Sequence, residues 1–194
     1  GFPKGFQVLC FNCNIRKSRG KPRVLRLQAS FAGGEYVFEV VKSTTVASFL
    51  KENHYLGSSR SGITIAVKNG GGIIAGCAIF SPPLRQNTEE QFGFQNYLEL
   101  SRLCSAVRTP NFTSWMLSKC LLIVRQVTSL IVSYADTTVG HSGTIYKASN
   151  FTLHHVVPPD YWYETTAGKK VHKRTVYGRA VRRGMKESEF VALM

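Results

Sequence analysis

The chain has 194 residues, 43% of them hydrophobic and 11% aromatic, a composition that suits one globular domain with a sizeable core. No apolar run reaches the roughly 18 residues that a membrane span needs, and the chain opens without a signal-peptide pattern, so we expect no membrane partner and a cytoplasmic location. Lys and Arg number 25 against 11 Asp and Glu, and the resulting charge of +14 predicts a polyanionic partner, with nucleic acid as the default and an anionic membrane surface as the alternative.

The first half of the chain predicts a strand-rich arrangement. Residues 1–23 are basic with little periodicity, and we take them as an N-terminal segment that precedes a single domain over 24–194. Alternating side chains, a Ser/Thr-capped apolar face and an Asn-Gly-Gly-Gly turn then predict, in chain order, strands over 24–31 and 35–41, a helix over 43–55 and a β-hairpin over 62–80.

The second half of the chain alternates strands with helices. Its patterns predict a strand over 95–106, a helix over 111–127, an apolar central strand over 129–136, a short helix over 143–150, a closing pair of strands over 151–157 and 169–181, and a last helix from 186. The order as a whole predicts a mixed central sheet with helices on both faces, of class α/β (α+β).

Four short motifs add a resemblance to known proteins. They are ENHYLG (52–57), LELSRLC (98–104), SYADTTVGHSGTIYKASNF (133–151) and GKKVHKR (168–174). The element order resembles the GNAT acyltransferase fold, and the motifs resemble the Mom family of phage DNA modification proteins. The resemblance implies a transferase that places a small acyl or carbamoylmethyl-type group on adenine N6 in double-stranded DNA. In a bacterial host cell, such a modification protects phage DNA from restriction.

Two other functions stay open at this point. One is an acyltransferase of the same fold that acts on tRNA, on protein or on a small molecule. The other is a non-catalytic DNA-binding protein that keeps the fold without the donor site.

The motif over 133–151 supplies three candidate catalytic residues. Asp136 ends an apolar run, a position that faces the ligand crevice of open α/β sheets, and it either accepts a proton from an exocyclic amine or caps the following turn. The resemblance implies that Tyr146 protonates the leaving group, although a core tyrosine with a satisfied hydroxyl is the alternative. His141 lies in a Gly-His-Ser-Gly loop, as a general base, a metal ligand or a turn residue.

Four further residues are candidates for substrate binding. His54 closes the predicted first helix, where the helix dipole favours a protonated imidazole, and with Tyr55 it is a candidate substrate contact. Ser101 and Arg102 lie on the strand that precedes the donor loop. A two-His, one-carboxylate metal site made of His54, His141 and Asp136 is a further alternative for a metal cofactor.

The donor loop departs from ordinary acetyl-CoA enzymes. Their pyrophosphate loop is glycine-rich, because its backbone amides hold the anion at a helix N-terminus. Residues 105–117 contain no glycine, so acetyl-CoA is in doubt as the donor and the donor's identity stays open. Arg108, Thr113 and Ser114 are the groups left to bind an anion at the start of the helix.

Basic residues near the C-terminus are the candidate DNA contacts. Between 169 and 186 there is no acidic residue, and Tyr177 and His172 are interleaved with the basic ones. Such a stripe is typical of a surface that follows phosphates. The residues that we assign to DNA binding are Lys169, Lys170, Lys173, Arg174, Arg182 and Arg183.

The five cysteines fall into two groups. Cys77, Cys104 and Cys120 lie in apolar segments and are expected to be buried thiols. The N-terminal QVLCFNCNIRKSRGK (7–21) resembles the end of an HNH-type zinc module. Cys10 and Cys13 would then be metal ligands, but tetrahedral zinc needs four ligands and a loop with two free thiols is the alternative.

Overall fold

The computed structural model describes residues 6–12, 26–83, 97–157 and 162–193. Eight strands build the main sheet: β1 (Phe6–Asn12), β2 (Arg26–Phe31), β3 (Gly34–Val41), β4 (Ile63–Asn69), β5 (Ile74–Ser81), β6 (Leu98–Ser105), β7 (Leu130–Asp136) and β8 (Thr152–Val157). Their spatial order is β2-β3-β4-β5-β6-β7-β1-β8. All neighbours are antiparallel except β6 and β7, which run parallel.

The other helices and strands either pack against the main sheet or come after its last strand, β8, in the chain. They are α1 (Ala47–Asn53), α2 (Phe112–Val124), α3 (Thr144–Ala148), β9 (Trp162–Glu164), β10 (Lys170–His172), α4 (Lys173–Arg182) and α5 (Glu187–Val191). Short 3₁₀ helices, Ser43–Val46 and Thr137–Val139, lead into α1 and α3. Among the described helices, none combines the length and the apolar character that crossing a bilayer requires.

Alternating side chains of the central strands bury both faces of the sheet. Ile65 and Val67 of β4 pack with α2 on one face, whereas Ala66 between them packs with α1 on the other. At Gly76 of β5 the sheet and α2 approach so closely that an added Cβ would collide with the Met116 sulfur. The predicted mixed sheet with helices on both faces is therefore confirmed.

The parallel strands β6 and β7 form a fork. They pair only from Leu98 opposite Ile131 to Leu100 opposite Ser133, as far as the described residues show, and both strands continue beyond that point. A bulge lies just there, because Phe80 faces Leu100 while the preceding Ile79 faces Arg102, which leaves Ser101 as an extra residue. A bulge bends its strand. We infer that it helps to turn the end of β6 away from β7.

Two sequence-based assignments need correction. The residues over 169–181 are not one strand, because only Lys170–His172 is extended and Lys173–Arg182 is helical. Val176 and Ala180 are buried one helical turn apart, so the apolar period there is that of a helix. In addition, β1 lies between β7 and β8 in the sheet, within a segment in which we recognised no strand.

The cysteines follow their predicted division as far as the structure describes them. Cys77, Cys104 and Cys120 are buried free thiols, as predicted. Burial raises the pKa of Cys77 to about 12 and that of Cys104 to about 11, so both stay protonated and unreactive at neutral pH. Cys10 lies in β1, whereas Cys13 lies outside the described residues, and the metal assignment of this pair stays a prediction.

Candidate active site

A buried serine and a tyrosine meet where the fork opens. Ser133 of β7 is fully buried, and its hydroxyl donates to the carbonyl of Leu100 across the fork at 3.3 Å. The same side chain is hydrogen bonded to the phenol of Tyr146 from α3. Burial raises the pKa of Tyr146, although the bond with Ser133 acts in the opposite direction. The phenol therefore keeps its proton at neutral pH.

The loop between β7 and α3 turns sharply on two glycines. Gly140 has φ of 82° and Gly143 has φ of 75°, conformations that favour glycine. The backbone N–H of His141 between them donates to the carbonyl of Asp136 at 3.1 Å, which closes the loop. Asp136, His141 and Tyr146 are thereby held at one end of β7.

A cavity of about 300 Å³ opens beside this loop. It is lined by Leu103, Thr113 and the segment from Gly140 to Tyr146. Thr113 comes from the first turn of α2, so the candidate donor side and the candidate catalytic side meet in one space. The volume lies at the lower end of the range for small-ligand sites and suits a small group or one base.

Two histidines stand on either side of Tyr55 near this loop. The rings of His54 and Tyr55 are stacked at 4.7 Å, and the edge of His141 meets Tyr55 at 5.4 Å. Burial raises the pKa of Tyr55, and the charges of Asp136 and Tyr146 act in the same direction. Tyr55 is nevertheless 54% exposed, so it lies at the edge of the group.

The imidazole of His54 is neutral. Burial, with smaller contributions from the charges of Arg102 and His141, lowers its pKa to about 4. Its Nδ1 accepts the backbone N–H of Leu56 at 3.1 Å, so the proton of the neutral ring lies on Nε2. His54 does close α1, but desolvation outweighs the attraction of the helix dipole for a protonated ring.

Hydrogen bonds from Arg102 connect the segment after α1 to β6. Its Nε donates to the Ser58 carbonyl at 2.7 Å, and its Nη1 donates to the Ser101 carbonyl at 2.6 Å. Arg60 in the same segment forms a largely buried ion pair with Glu99 of β6 at 2.9 Å. These contacts hold the segment that carries His54 and Tyr55.

The two substrate candidates on β6 already have protein partners. The Ser101 hydroxyl donates to the Ile79 carbonyl at 3.1 Å and lies 2.9 Å from the Ser81 hydroxyl, as suits a bulge residue. Arg102 donates to backbone carbonyls on both sides. A direct substrate contact by Ser101 or Arg102 stays a prediction.

The three candidate donor-binding residues lie in different surroundings. Thr113 lines the cavity, whereas Arg108 is exposed in the loop before α2. The Ser114 hydroxyl donates to the Asn111 carbonyl at 3.0 Å, within the first turn of the helix. Across the described residues, no three His, Cys, Asp or Glu side chains come close enough to hold a metal ion. The structure thus does not assemble His54, His141 and Asp136 into a ligand set.

The DNA-binding candidates belong to a small unit that we call the basic module, residues 162–193. A hairpin of β9 and β10 packs with α4 and α5 around Val171, Val176, Ala180 and Phe190. Lys169 and Lys170 are exposed on the hairpin, and Arg182 and Arg183 are exposed at the end of α4, whereas Lys173 is half-buried. Arg174 lies on α4.

Ser133 is the site residue that sequence reasoning missed. It is a small hydroxyl side chain in the middle of the apolar strand Leu130–Asp136. A buried hydroxyl needs a hydrogen-bond partner, and that requirement was the available signal. Which partner it finds depends on the fork, and the fork cannot be seen in a local pattern.

The comparison with protein families agrees with this geometry. A family model described as the Mom protein family matches residues 35–192, a range that contains the fork, the cavity and nearly all of the basic module. No curated protein matches the chain. Because the match spans more than half of the 194 residues, the chain belongs to the Mom family of DNA modification proteins.

Proposed function

We propose that this protein transfers a small acyl or carbamoylmethyl-type group to the N6 amine of adenine in DNA, on a GNAT-like framework. The observation that carries the proposal is the cavity beside the fork, which Thr113, His141 and Tyr146 line together. We place the donor and the base together in this cavity. The product would protect phage DNA from restriction in the bacterial host.

The residues present support a direct transfer. The N6 nitrogen forms a bond to the transferred carbon while the bond from that carbon to the donor's leaving group breaks. Asp136 takes the proton that the amine loses, and the Tyr146 phenol gives its proton to the leaving group. The raised pKa of Tyr146 keeps that proton available at neutral pH. The two groups then return to their starting states by exchange with water.

The base has to leave the duplex before this chemistry can occur. An adenine inside the stack presents its N6 amine to a groove and cannot enter a cavity of about 300 Å³. Tyr55 is half-exposed and meets His141 edge to face, so it offers a ring for an extruded base to stack on. The basic module would hold the flanking phosphates.

Nucleoside analysis tests the proposal. DNA from cells that express the protein should contain a modified deoxyadenosine, detected by mass spectrometry after digestion. Unmodified DNA from cells with abundant folded protein would overturn the enzyme assignment and favour a non-catalytic DNA-binding protein. Modified tRNA, protein or small molecules alongside unmodified DNA would instead identify an acyltransferase with another acceptor.

A further inference from the structure

Basic residues outnumber acidic ones in the basic module. It contains eight Lys and Arg residues against three Glu. Glu187 accepts the hydroxyl of Tyr163 at 2.9 Å, and Glu189 accepts the backbone N–H of Lys186 at 3.0 Å. Within the described chain, Arg179, Arg182 and Arg183 form no ion pair with a carboxylate. Their charge is therefore available to an external anion.

Helix α4 presents one face to the module and another to solvent. Val176 and Ala180 are buried, and they face α5 and the hairpin. Tyr177 and Val181 are also one turn apart, but they are 59% and 56% exposed. A large aromatic and a branched apolar side chain on an exposed face indicate a contact surface when basic residues surround them.

Nothing in the described structure explains why a glycine, Gly178, lies in the middle of this helix. Glycine lowers the stability of a helix relative to alanine. A Cβ added at Gly178 would meet no described atom within 4 Å, and its φ lies outside the left-handed region. Neither packing nor backbone geometry within the described chain requires glycine here. Close approach of a partner molecule is one physical reason for glycine at such a position.

We propose that α4 docks in the major groove of double-stranded DNA with Gly178 at the point of closest approach. This inference rests on the proposed function, because it assumes that DNA is the substrate. The Arg182 Nε donates to the Gly178 carbonyl at 3.1 Å, which holds a guanidinium beside the glycine for a phosphate. Tyr177 and Val181 then face the base edges.

The dimensions of nucleic acids favour duplex DNA over the other polyanions. The major groove of B-DNA is about 12 Å wide and admits an α-helix. The major groove of duplex RNA is too deep and narrow for one. An anionic membrane would attract the same charge, but it gives no reason for a glycine in the centre of the face.

Gly178→Ala separates a binding role from a structural one. Alanine should leave the melting temperature unchanged or raise it, because it is the better helix former. The added methyl group should weaken binding of a short fluorescent DNA duplex by about tenfold, the effect of one lost close contact. A structural role predicts the first result without the second.

A charge-matched pair completes the experiment. Arg182→Ala should weaken duplex binding and lower the salt slope by about one, as expected for one phosphate contact. Arg125→Ala removes the same charge from an exposed position after α2 and should leave the slope unchanged.

The experiment distinguishes a failure of this proposal for α4 from a failure of the proposed function. If the wild type binds no duplex, DNA is not its substrate and the proposed function fails as well. If it binds duplex and Gly178→Ala binds equally tightly, the docking face lies elsewhere and the proposed function stands. Stronger binding to anionic vesicles or to duplex RNA than to DNA would also overturn the proposal for α4.

Discussion

The fork and the basic module differ in how the chain brings their residues together and in how far they bury ionisable side chains. The fork gathers His54, Arg102, Thr113 and Tyr146 from segments that are distant in the chain, and it partly buries them. The basic module is continuous in sequence and keeps its arginines exposed. Burial changes protonation at the fork, where it lowers the pKa of His54 to about 4. We therefore expect chemistry and pH dependence from the fork, and salt-dependent binding from the module.

The largest effect should follow from substitutions at the fork. Asp136→Asn and Tyr146→Phe should each lower the yield of modified deoxyadenosine by about 10²–10⁴, the usual contribution of a general acid or base. Ser133→Ala is the matched control, because it removes the hydrogen bond to Tyr146 but keeps the phenol. It should cost about 1 kcal/mol of stability and lower the yield less than Tyr146→Phe does, because the phenol remains. Equal losses in Ser133→Ala and Tyr146→Phe would reduce the tyrosine to a structural role.

The next largest effect should come from the module. Alanine at Lys169, Lys170, Lys173 and Arg174 together should lower duplex affinity about 10- to 1,000-fold at low salt and flatten the dependence on salt, since each lost phosphate contact releases about one counterion fewer. Replacing exposed basic residues elsewhere, such as Lys42 and Arg125, should leave the slope intact. An unchanged slope in the fourfold variant would remove these residues from the DNA surface.

A smaller effect, on the pH dependence of stability, is expected from His54. The folded pKa of His54 is about 4, below the value of about 6.5 in the unfolded chain, so the unfolded state takes up the proton first. Its contribution to stability is therefore complete above pH 6.5 and is lost as the pH falls towards 4. His54→Gln should flatten this part of the pH profile of unfolding. A profile unaffected by His54→Gln would mean that the imidazole is less desolvated than the structure indicates.

The smallest signal is expected from acetyl-CoA. Residues 105–117 offer no glycine, and Pro110 lacks an amide hydrogen, so the usual pyrophosphate cradle is not available there. Calorimetry should show weak binding or none. Micromolar binding that is lost in Arg108→Ala would show that this loop holds the cofactor without glycines.

Local patterns predicted most of the sheet but not its fork. The Asn-Gly-Gly-Gly turn identified β4 and β5, a continuous apolar run identified β7, and the apolar spacing of α2 identified the long helix. The bulge at Ser101 depends on the register between β5 and β6, and that register arises only when the two strands pair. The stripe of basic residues was visible in the sequence, yet its helix was mistaken for a strand because so few apolar residues mark the period.

The sequence named three residues of the candidate site but not the contacts between them. Asp136, His141 and Tyr146 followed from one motif, and the structure places them around one loop. That Tyr55 stands between two histidines, or that Ser133 holds Tyr146, requires contacts between distant segments. Desolvation of His54 likewise depends on its neighbours in space, so a local argument from the helix dipole gave the wrong protonation state.

The position of β1 in the sheet has a consequence for how the chain folds. Phe6 faces Asp136 of β7 on one side and Val157 of β8 on the other, so β1 pairs with strands that lie far later in the chain. Until then its backbone donors and acceptors have no ladder to join, and closing so long a loop makes the final step slow. Strand β8 joins the sheet through β1, so its attachment must wait for the same event. Until β1 pairs with it, β7 presents an open sheet edge, and such an edge promotes aggregation.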